Sequence, residues 1–394
     1  MKIGFIIRKN HSIWGGDLGV VGSLMRGLKS LGHETKSASS PFALEDMDMV
    51  FLTNSSVEQR SVLEELSMLG MPFGVLGFHE DILLYYTAAT GMFTFIQQCL
   101  DYGLPTDNGM KYSIEQLFTH PQTVYYYGET PKKTVFYNHE MIVKASLWIA
   151  NSEKEKKTIL RDHPGSRVSV IPVAPGVVTR FSCKEPSCEF LTFSGLSSKS
   201  YFLQVGRLEI RKNQLGTILA TKDLDAPLVF IATRAFDPRY EVACFEAARR
   251  YRKAPTLFIS ANLKERKEGS TQVIAMSGKL STSMLWSAYY HAGLHIHPAF
   301  HELPGATYLE AAFLGTPTIA STWCTIDEYF FNEQTGDSGL DGRILYRQPH
   351  HLEEITQAIP ALFGQTYPLL LNHPALTRGD EDAAKDLLGL LREP

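Results

Sequence analysis

The sequence predicts an α/β protein with a parallel sheet in each half of the chain. Short apolar runs alternate with helical patterns almost from end to end. A Pro-, Gly- and Ser-rich stretch over residues 174–200 divides that series in two. The length agrees, since 394 residues at roughly 150 per domain make two domains or so.

The elements follow in order. Residues 2–7 form an apolar strand, and 11–16 a loop. A helix fits 17–31: Asp17 can cap it, Val20, Leu24, Leu28 and Leu31 repeat at helical spacing, and Gly32 suits the position after its end. Residues 49–52 and 73–76 read as the next strands. Segment 81–145 is dense in aromatics (Tyr85, Tyr86, Phe93, Phe95, Tyr125, Tyr126, Tyr127), with helices expected near 82–101 and 137–147. A strand at 147–150, a helix at 152–161 and a strand at 168–172 complete the first series. Beyond the linker, strands are expected at 202–205, 228–232, 256–260, 272–276, 294–297 and 318–320. Helices are expected near 213–222, 238–252, 281–292, 304–314 and 350–363. The tail, 380–391, carries Ala384, Leu387, Leu388 and Leu391 on one face, as an amphipathic helix does.

Composition narrows the function. Apolar residues at 44% and charged residues at 20% are globular usage. Lys and Arg number 38 against 42 Asp and Glu, so the net charge of −4 argues against a nucleic-acid binder. The five cysteines are odd in number and irregularly spaced, which favours a reducing compartment over a disulfide framework. Cys183 and Cys188 lie close together, but no second pair completes a zinc knuckle. No stretch reaches the ~20 apolar residues of a membrane span. The apolar run at 3–7 is followed by Arg8 and Lys9 and falls short of the about 7–15 residues of a signal h-region; it reads as the buried first strand of a cytoplasmic protein. Lys154, Lys156 and Lys157 alternate with Glu153 and Glu155, as on a solvated helix face. Peripheral membrane contact and oligomeric state stay open.

Three places could carry chemistry. Gly15 and Gly16 open a helix after the first strand, where free backbone N–H groups can receive a phosphate and glycine leaves room for close approach. Arg207 and Lys212 flank a strand-to-helix loop after Val205-Gly206; two cations beside a helix start make sense if an anion sits between them. The densest run is His295 to Ala312. Pro304 and Gly305 should start a helix there, which leaves Glu302 on the loop and Glu310 on the helix, at most about 12 Å apart. Two such carboxylates could bind hydroxyls on one extended ligand, with the N–H groups of Gly305, Ala306 and Thr307 facing an anion.

At these residues the chain resembles a family 4 glycosyltransferase of the GT-B architecture, two Rossmann-like domains facing across a cleft. The family's Glu-x7-Glu, Ala and Gly-x-Pro pattern appears as Glu302, Glu310, Ala311, Gly315 and Pro317. Its Gly-Arg-Leu with a basic residue five on is Gly206, Arg207, Leu208 and Lys212. Gly15-Gly16 with Gly32-His33-Glu34, and Asn151-Ser152 with Val170-Ile171-Pro172, match in the same order.

The resemblance implies a retaining sugar transfer from a nucleotide-diphosphate donor, UDP- or GDP-linked, with no obligatory metal. It implies that Arg207 and Lys212 hold the diphosphate and that Glu310 binds the ribose. Glu302 would bind the sugar with the N–H groups of Gly305, Ala306 and Thr307. Gly15 and Gly16 would approach the phosphate from the other domain, and His79 would stand near the sugar. It divides the chain into an acceptor-side domain, 1–180, and a donor domain, 195–375; segment 81–145 and the returning tail helix, 380–394, would join the first. Leu303 to Thr307 replace the family's Gly-Phe-Gly, and Pro172 to Val177 replace Pro-Asn-Gly-Val, which leaves sugar and acceptor open. Two other readings compete: a metal-dependent hydrolase using His295, His297, His301 and Glu302, and a GT-B-shaped binding protein without turnover.

Overall fold

The computed structural model describes residues 1–8, 16–55, 59–103, 138–172, 187–232, 237–260, 266–267, 273–277, 280–330 and 340–392. Two sheets organise it. The first is built from β1 (Lys2–Ile6), β2 (Glu34–Ala38), β3 (Met49–Thr53), β4 (Phe73–Leu76), β5 (Leu147–Ala150) and β6 (Val168–Val170), in the order β2-β1-β3-β4-β5-β6, all parallel. The second holds β7 (Phe202–Val205), β8 (Leu228–Ile231), β9 (Thr256–Ser260), β10 (Arg266–Lys267), β11 (Val273–Ser277), β12 (Leu294–His297), β13 (Thr318–Ser321) and β14 (Ile344–Arg347). Its order is β10-β11-β9-β8-β7-β12-β13-β14, parallel except for β10.

The strands are near-continuous apolar runs because both sheet faces are covered. In the first sheet Ile3 and Phe5 face one layer with Val21, Leu24 and Leu28 of helix Gly16–Ser30. Val50, Leu52, Val75 and Trp148 face the other layer with Val62, Leu63 and Leu66 of helix Arg60–Leu69. In the second sheet Phe202, Phe230 and Phe258 face one layer, and Leu203, Val229 and Leu257 the other, as the two-residue period of a strand requires.

Several elements depart from the sequence reading. β2 is a polar edge strand, Glu-Thr-Lys-Ser-Ala, mostly exposed, so it has no apolar run to announce it. β14 is a second edge strand that the apolar pattern missed. Within segment 81–145, helix Ile82–Tyr102 begins where Asp81 accepts the N–H of Leu84 and ends at Gly103 in a left-handed turn. Its Ala88, Ala89, Met92, Phe93 and Ile96 enter the core of the second sheet, not the first. Phe93 meets Tyr240 edge to face at 5.5 Å, and Arg250 donates to the Leu100 carbonyl at 3.0 Å. The expected helix at 137–147 is a single turn, His139–Ile142, and residues 104–137 lie outside the described residues.

The tail helix, Asp380–Arg392, lies against helix Gly16–Ser30. Its Ala383, Ala384, Leu387 and Leu388 share one core with Ile3, Phe5, Val21 and Leu24.

Candidate functional site

In the second sheet the chain runs outward from β7 through β8 and β9 to β11, then returns to place β12 on β7's other side. The carboxyl ends of β7 and β12 therefore border a topological switch point, where open α/β sheets bind ligands. The loop after β7 carries Arg207, Glu209, Arg211 and Lys212; the loop after β12 carries His301 and Glu302.

Backbone locks fix both loops. Asn213, at φ 59 and ψ 42, caps helix Gln214–Ala220 by accepting the N–H of Gly216. Its buried amide donates to Pro298 O at 2.8 Å and Pro349 O at 2.7 Å. Gln204 donates to Lys212 O, Gln214 to Arg207 O, and Phe300 N–H to Arg211 O, at 2.7, 2.7 and 2.8 Å. The cations thus stand on a preorganised frame.

The charges form two neighbouring chains of ion pairs, Arg207–Glu209–Arg211–Glu80 and Lys212–Glu302–His297. Arg207 lies 3.5 Å from Glu209, which accepts from Arg211 at 2.6 Å. Arg211 reaches the first half of the chain, donating to Glu80 at 2.5 Å, and Tyr85 donates to the other oxygen of Glu80. Lys212 pairs with Glu302, whose same oxygen lies 3.2 Å from His297 Nε2. Burial opposes charge on Glu302, yet Lys212, His297 and Arg211 together hold its carboxyl well below the usual range. Burial likewise opposes charge on Arg211, and Glu209, Glu80 and Glu302 overcome it. Arg211, Glu209 and Glu80 were not singled out in the sequence. A second basic residue beside Lys212 was the visible signal for Arg211.

Helix Ala306–Phe313 starts at Gly305, whose φ of 91° favours glycine and where a Cβ would sit 2.7 Å from the Tyr308 ring. The helix N-terminus presents the Ala306 and Thr307 N–H groups without intrahelical partners. Thr307 Oγ1 and His297 Nδ1 have no hydrogen-bond partner among the described residues. Glu310 is buried in the second turn. Gly16 opens helix Gly16–Ser30 and is exposed, with open space where a Cβ would stand; Gly15 lies outside the described residues.

His79 follows β4 and is held from three sides. Its Nε2 lies 2.9 Å from Asp162, its Nδ1 2.7 Å from Ser55 Oγ, and its main-chain N–H donates to Glu155 at 2.7 Å. Burial pushes the Asp162 carboxyl up, but His79 and Arg161 outweigh it and bring it down to about 2. A depressed carboxyl stabilises the fold above its unfolded pKa and loses that contribution as pH falls through its folded one. The wild type should therefore lose about 2 kcal/mol of stability between about pH 4 and 2 that Asp162→Asn does not lose. Urea unfolding across that range checks this; parallel curves for the two proteins would refute it.

The metal-hydrolase alternative is not supported. His295 is buried against Tyr289 and Tyr308 with Nδ1 3.5 Å from Thr318. His297 turns Nε2 to Glu302, while His301 stacks on Tyr85 at 5.1 Å, between the halves. His295 and His297 lie 5.7 Å apart against the same Tyr308 ring, and His301 packs elsewhere, on Tyr85. Among the described residues no group of three His, Cys, Asp or Glu could hold a metal ion, and no helix is long and apolar enough to cross a membrane.

A second seam joins the halves. Glu328 accepts the N–H groups of Glu153 and Lys154 at 2.6 and 2.8 Å, capping helix Glu153–Asp162 from the other half. Lys154 pairs with both oxygens of Asp327 at 2.7 Å, and Tyr329 donates to Asn151 O at 2.9 Å. A cavity of about 1000 Å³ opens here, lined among others by Lys157, Tyr346 and Arg378. None of Arg207, Lys212, Glu302 and Glu310 lines it, so the cavity and the charged cluster are separate places.

No protein-family model and no curated protein sequence matches the chain. Solved structures do. Anabaena HepE, in complex with UDP and glucose, is 13% identical with a TM-score of 0.60, covering 99% of both chains. The E. coli trehalose-6-phosphate synthase OtsA, bound with UDP-2-fluoro glucose, is 10% identical with a TM-score of 0.58, covering 100% of this chain and 99% of that one. The sucrose-phosphate synthase of Thermosynechococcus elongatus is 12% identical with a TM-score of 0.50, covering 99% and 94%. These neighbours are GT-B glycosyltransferases, and the chain has the GT-B fold that the sequence predicts.

Proposed function

We propose that the protein is a glycosyltransferase that takes its sugar from a nucleotide-diphosphate donor. One observation carries the reading: Arg207, Arg211 and Lys212 stand on a locked loop at the switch point, beside Glu302, which shortly precedes an uncapped helix start. Carboxylates now satisfy those cations, and a diphosphate has the chemistry to take their place. The neighbours' bound UDP and UDP-2-fluoro glucose support such a donor.

In this reading Arg207 and Lys212 hold the diphosphate and balance the charge that grows on it as the sugar leaves. Glu310 binds the ribose, and Glu302 the sugar hydroxyls, aided by the N–H groups of Gly305, Ala306 and Thr307. Gly15 and Gly16 approach the phosphate from the first half. His79, with both ring nitrogens engaged, acts by fixing the loop that carries Glu80. The half built on the first sheet supplies the acceptor side, and the boundary falls near 175–200. Transfer proceeds with retention of configuration and without an obligatory metal.

A thermal-shift panel of UDP-, GDP- and ADP-sugars tests this. A bound donor at one hundred times its Kd should stabilise the native state by about 2.7 kcal/mol. Arg207→Ala should abolish that shift. If no nucleotide shifts the wild type, the reading fails.

A further inference from the structure

The cluster is electrically balanced before any donor arrives. Three cations, Arg207, Arg211 and Lys212, face three carboxylates, Glu80, Glu209 and Glu302. A nucleoside diphosphate brings at least two negative charges. Left beside all three carboxylates in a largely buried site, it would create an uncompensated surplus of like charge. One carboxylate must give up its cation.

The three are not equivalent. Glu209 stands on the same loop as the cations, and Glu302 is in the reading above a sugar ligand. Glu80 alone comes from the other half, on the loop between β4 and helix Ile82–Tyr102. Its position is imposed from both sides. His79 is tied to Asp162, Ser55 and Glu155, and Asp81 both caps helix Ile82–Tyr102 and takes two hydrogen bonds from Arg161 at 3.0 Å. The carboxylate of Glu80 is therefore presented to Arg211 by a rigid loop, with Tyr85 steadying its second oxygen.

We infer that Arg211 is a further cation for the donor diphosphate and that Glu80 is its resting counter-ion, a carboxylate that competes with the donor. The inference rests on the donor reading above. On loading, the Arg211 guanidinium exchanges the Glu80 carboxylate for a phosphate oxygen. No covalent bond changes, and the freed Glu80 carboxylate, whose side chain is already 30% exposed, turns to water. The exchange breaks an ion pair between the halves, so the donor loosens this seam while the seam at Glu328 and Lys154 stays intact.

Calorimetric titration of the full chain with UDP, GDP and inorganic pyrophosphate tests it. Glu80→Gln keeps the shape and removes the competing charge, so it should bind the preferred diphosphate about 3- to 10-fold more tightly. Glu80→Ala is the second variant, with tightening in the same direction. Arg211→Ala should weaken binding about 10- to 100-fold, the worth of a charged hydrogen bond. In the Arg211→Ala background, Glu80→Gln should have no further effect, because the two residues act as one pair. Unchanged or weaker binding by both Glu80 variants overturns the inference, as does additivity in the double mutant. If the wild type binds diphosphates and Lys212→Ala loses them, while Glu80→Gln fails to tighten, the exchange alone falls. If the wild type binds none of the three probes, the donor reading falls with it.

Discussion

Lys212→Ala should lower turnover by about 10²–10³, the usual effect of removing one preorganised group that stabilises charge in the transition state. The readout is nucleoside diphosphate released from the donor that the thermal-shift panel selects. The loss should appear in kcat more than in KM, because the charge on the departing diphosphate grows as the sugar bond breaks. Lys212 also has a structural part. It pairs with Glu302, whose side chain is only 12% exposed, and breaking a buried pair from one side costs about 3–5 kcal/mol. His297 and Arg211 still face Glu302, which places the expected loss toward the low end. The two effects separate in the double mutant. Lys212→Ala with Glu302→Gln removes the orphaned charge, so stability should recover while turnover falls below that of Glu302→Gln alone. Turnover equal to that of Glu302→Gln alone would make Lys212 a merely structural partner of Glu302.

The sheets were legible because their strands are buried on both faces and read as apolar runs. β2 was not, because an edge strand needs no such run; β14, Ile-Leu-Tyr-Arg, has a short one and was passed over all the same. Within the site, what was legible was residue type at local spacing: Arg207 and Lys212 on one loop, Glu302 and Glu310 about a helix start. What escaped were partnerships between distant positions. Glu80 and Arg211 lie 131 positions apart, and His79 and Asp162 lie 83 apart. His79 stood out as a lone histidine after a strand; nothing within a few residues of it announces Ser55 or Asp162. The same blindness assigned helix Ile82–Tyr102 by sequence order. Its apolar face fits any apolar surface, and only the fold decides that the surface is the second sheet's core.

That helix and the tail helix run in opposite directions between the halves. One leaves the first series to pack on the second sheet; the other leaves the second series to pack on the first. Each half thus carries in its core a segment from the other. Separate folding of the two is disfavoured, since each alone would expose an apolar face about one helix wide.

Gly27→Val should detach the tail helix. Gly27 sits in helix Gly16–Ser30 where the tail crosses it. A Cβ there would stand 2.0 Å from the Asp380 carbonyl oxygen and 2.9 Å from Ala384 Cβ. The obstacle is backbone, so no rotamer relieves it and the helices must separate. Separation breaks the bonds of Asp380 to Ser23 at 2.5 Å and to Arg26 at 2.7 Å, and it uncovers Leu387 and Leu388. Each of those leucines is worth about 1.5–3 kcal/mol buried, so the loss should pass the roughly 1–3 kcal/mol of ordinary overpacking. Amide exchange would show it as lost protection over residues 380–392 with the second sheet unaffected. Gly19→Ala on the same helix is the control. A Cβ at Gly19 meets nothing within 4 Å, so this change should stabilise by about 0.5–1 kcal/mol through helix propensity alone. Equal melting temperatures for Gly27→Val and the wild type would mean that the close crossing at Gly27 does not hold the tail in place.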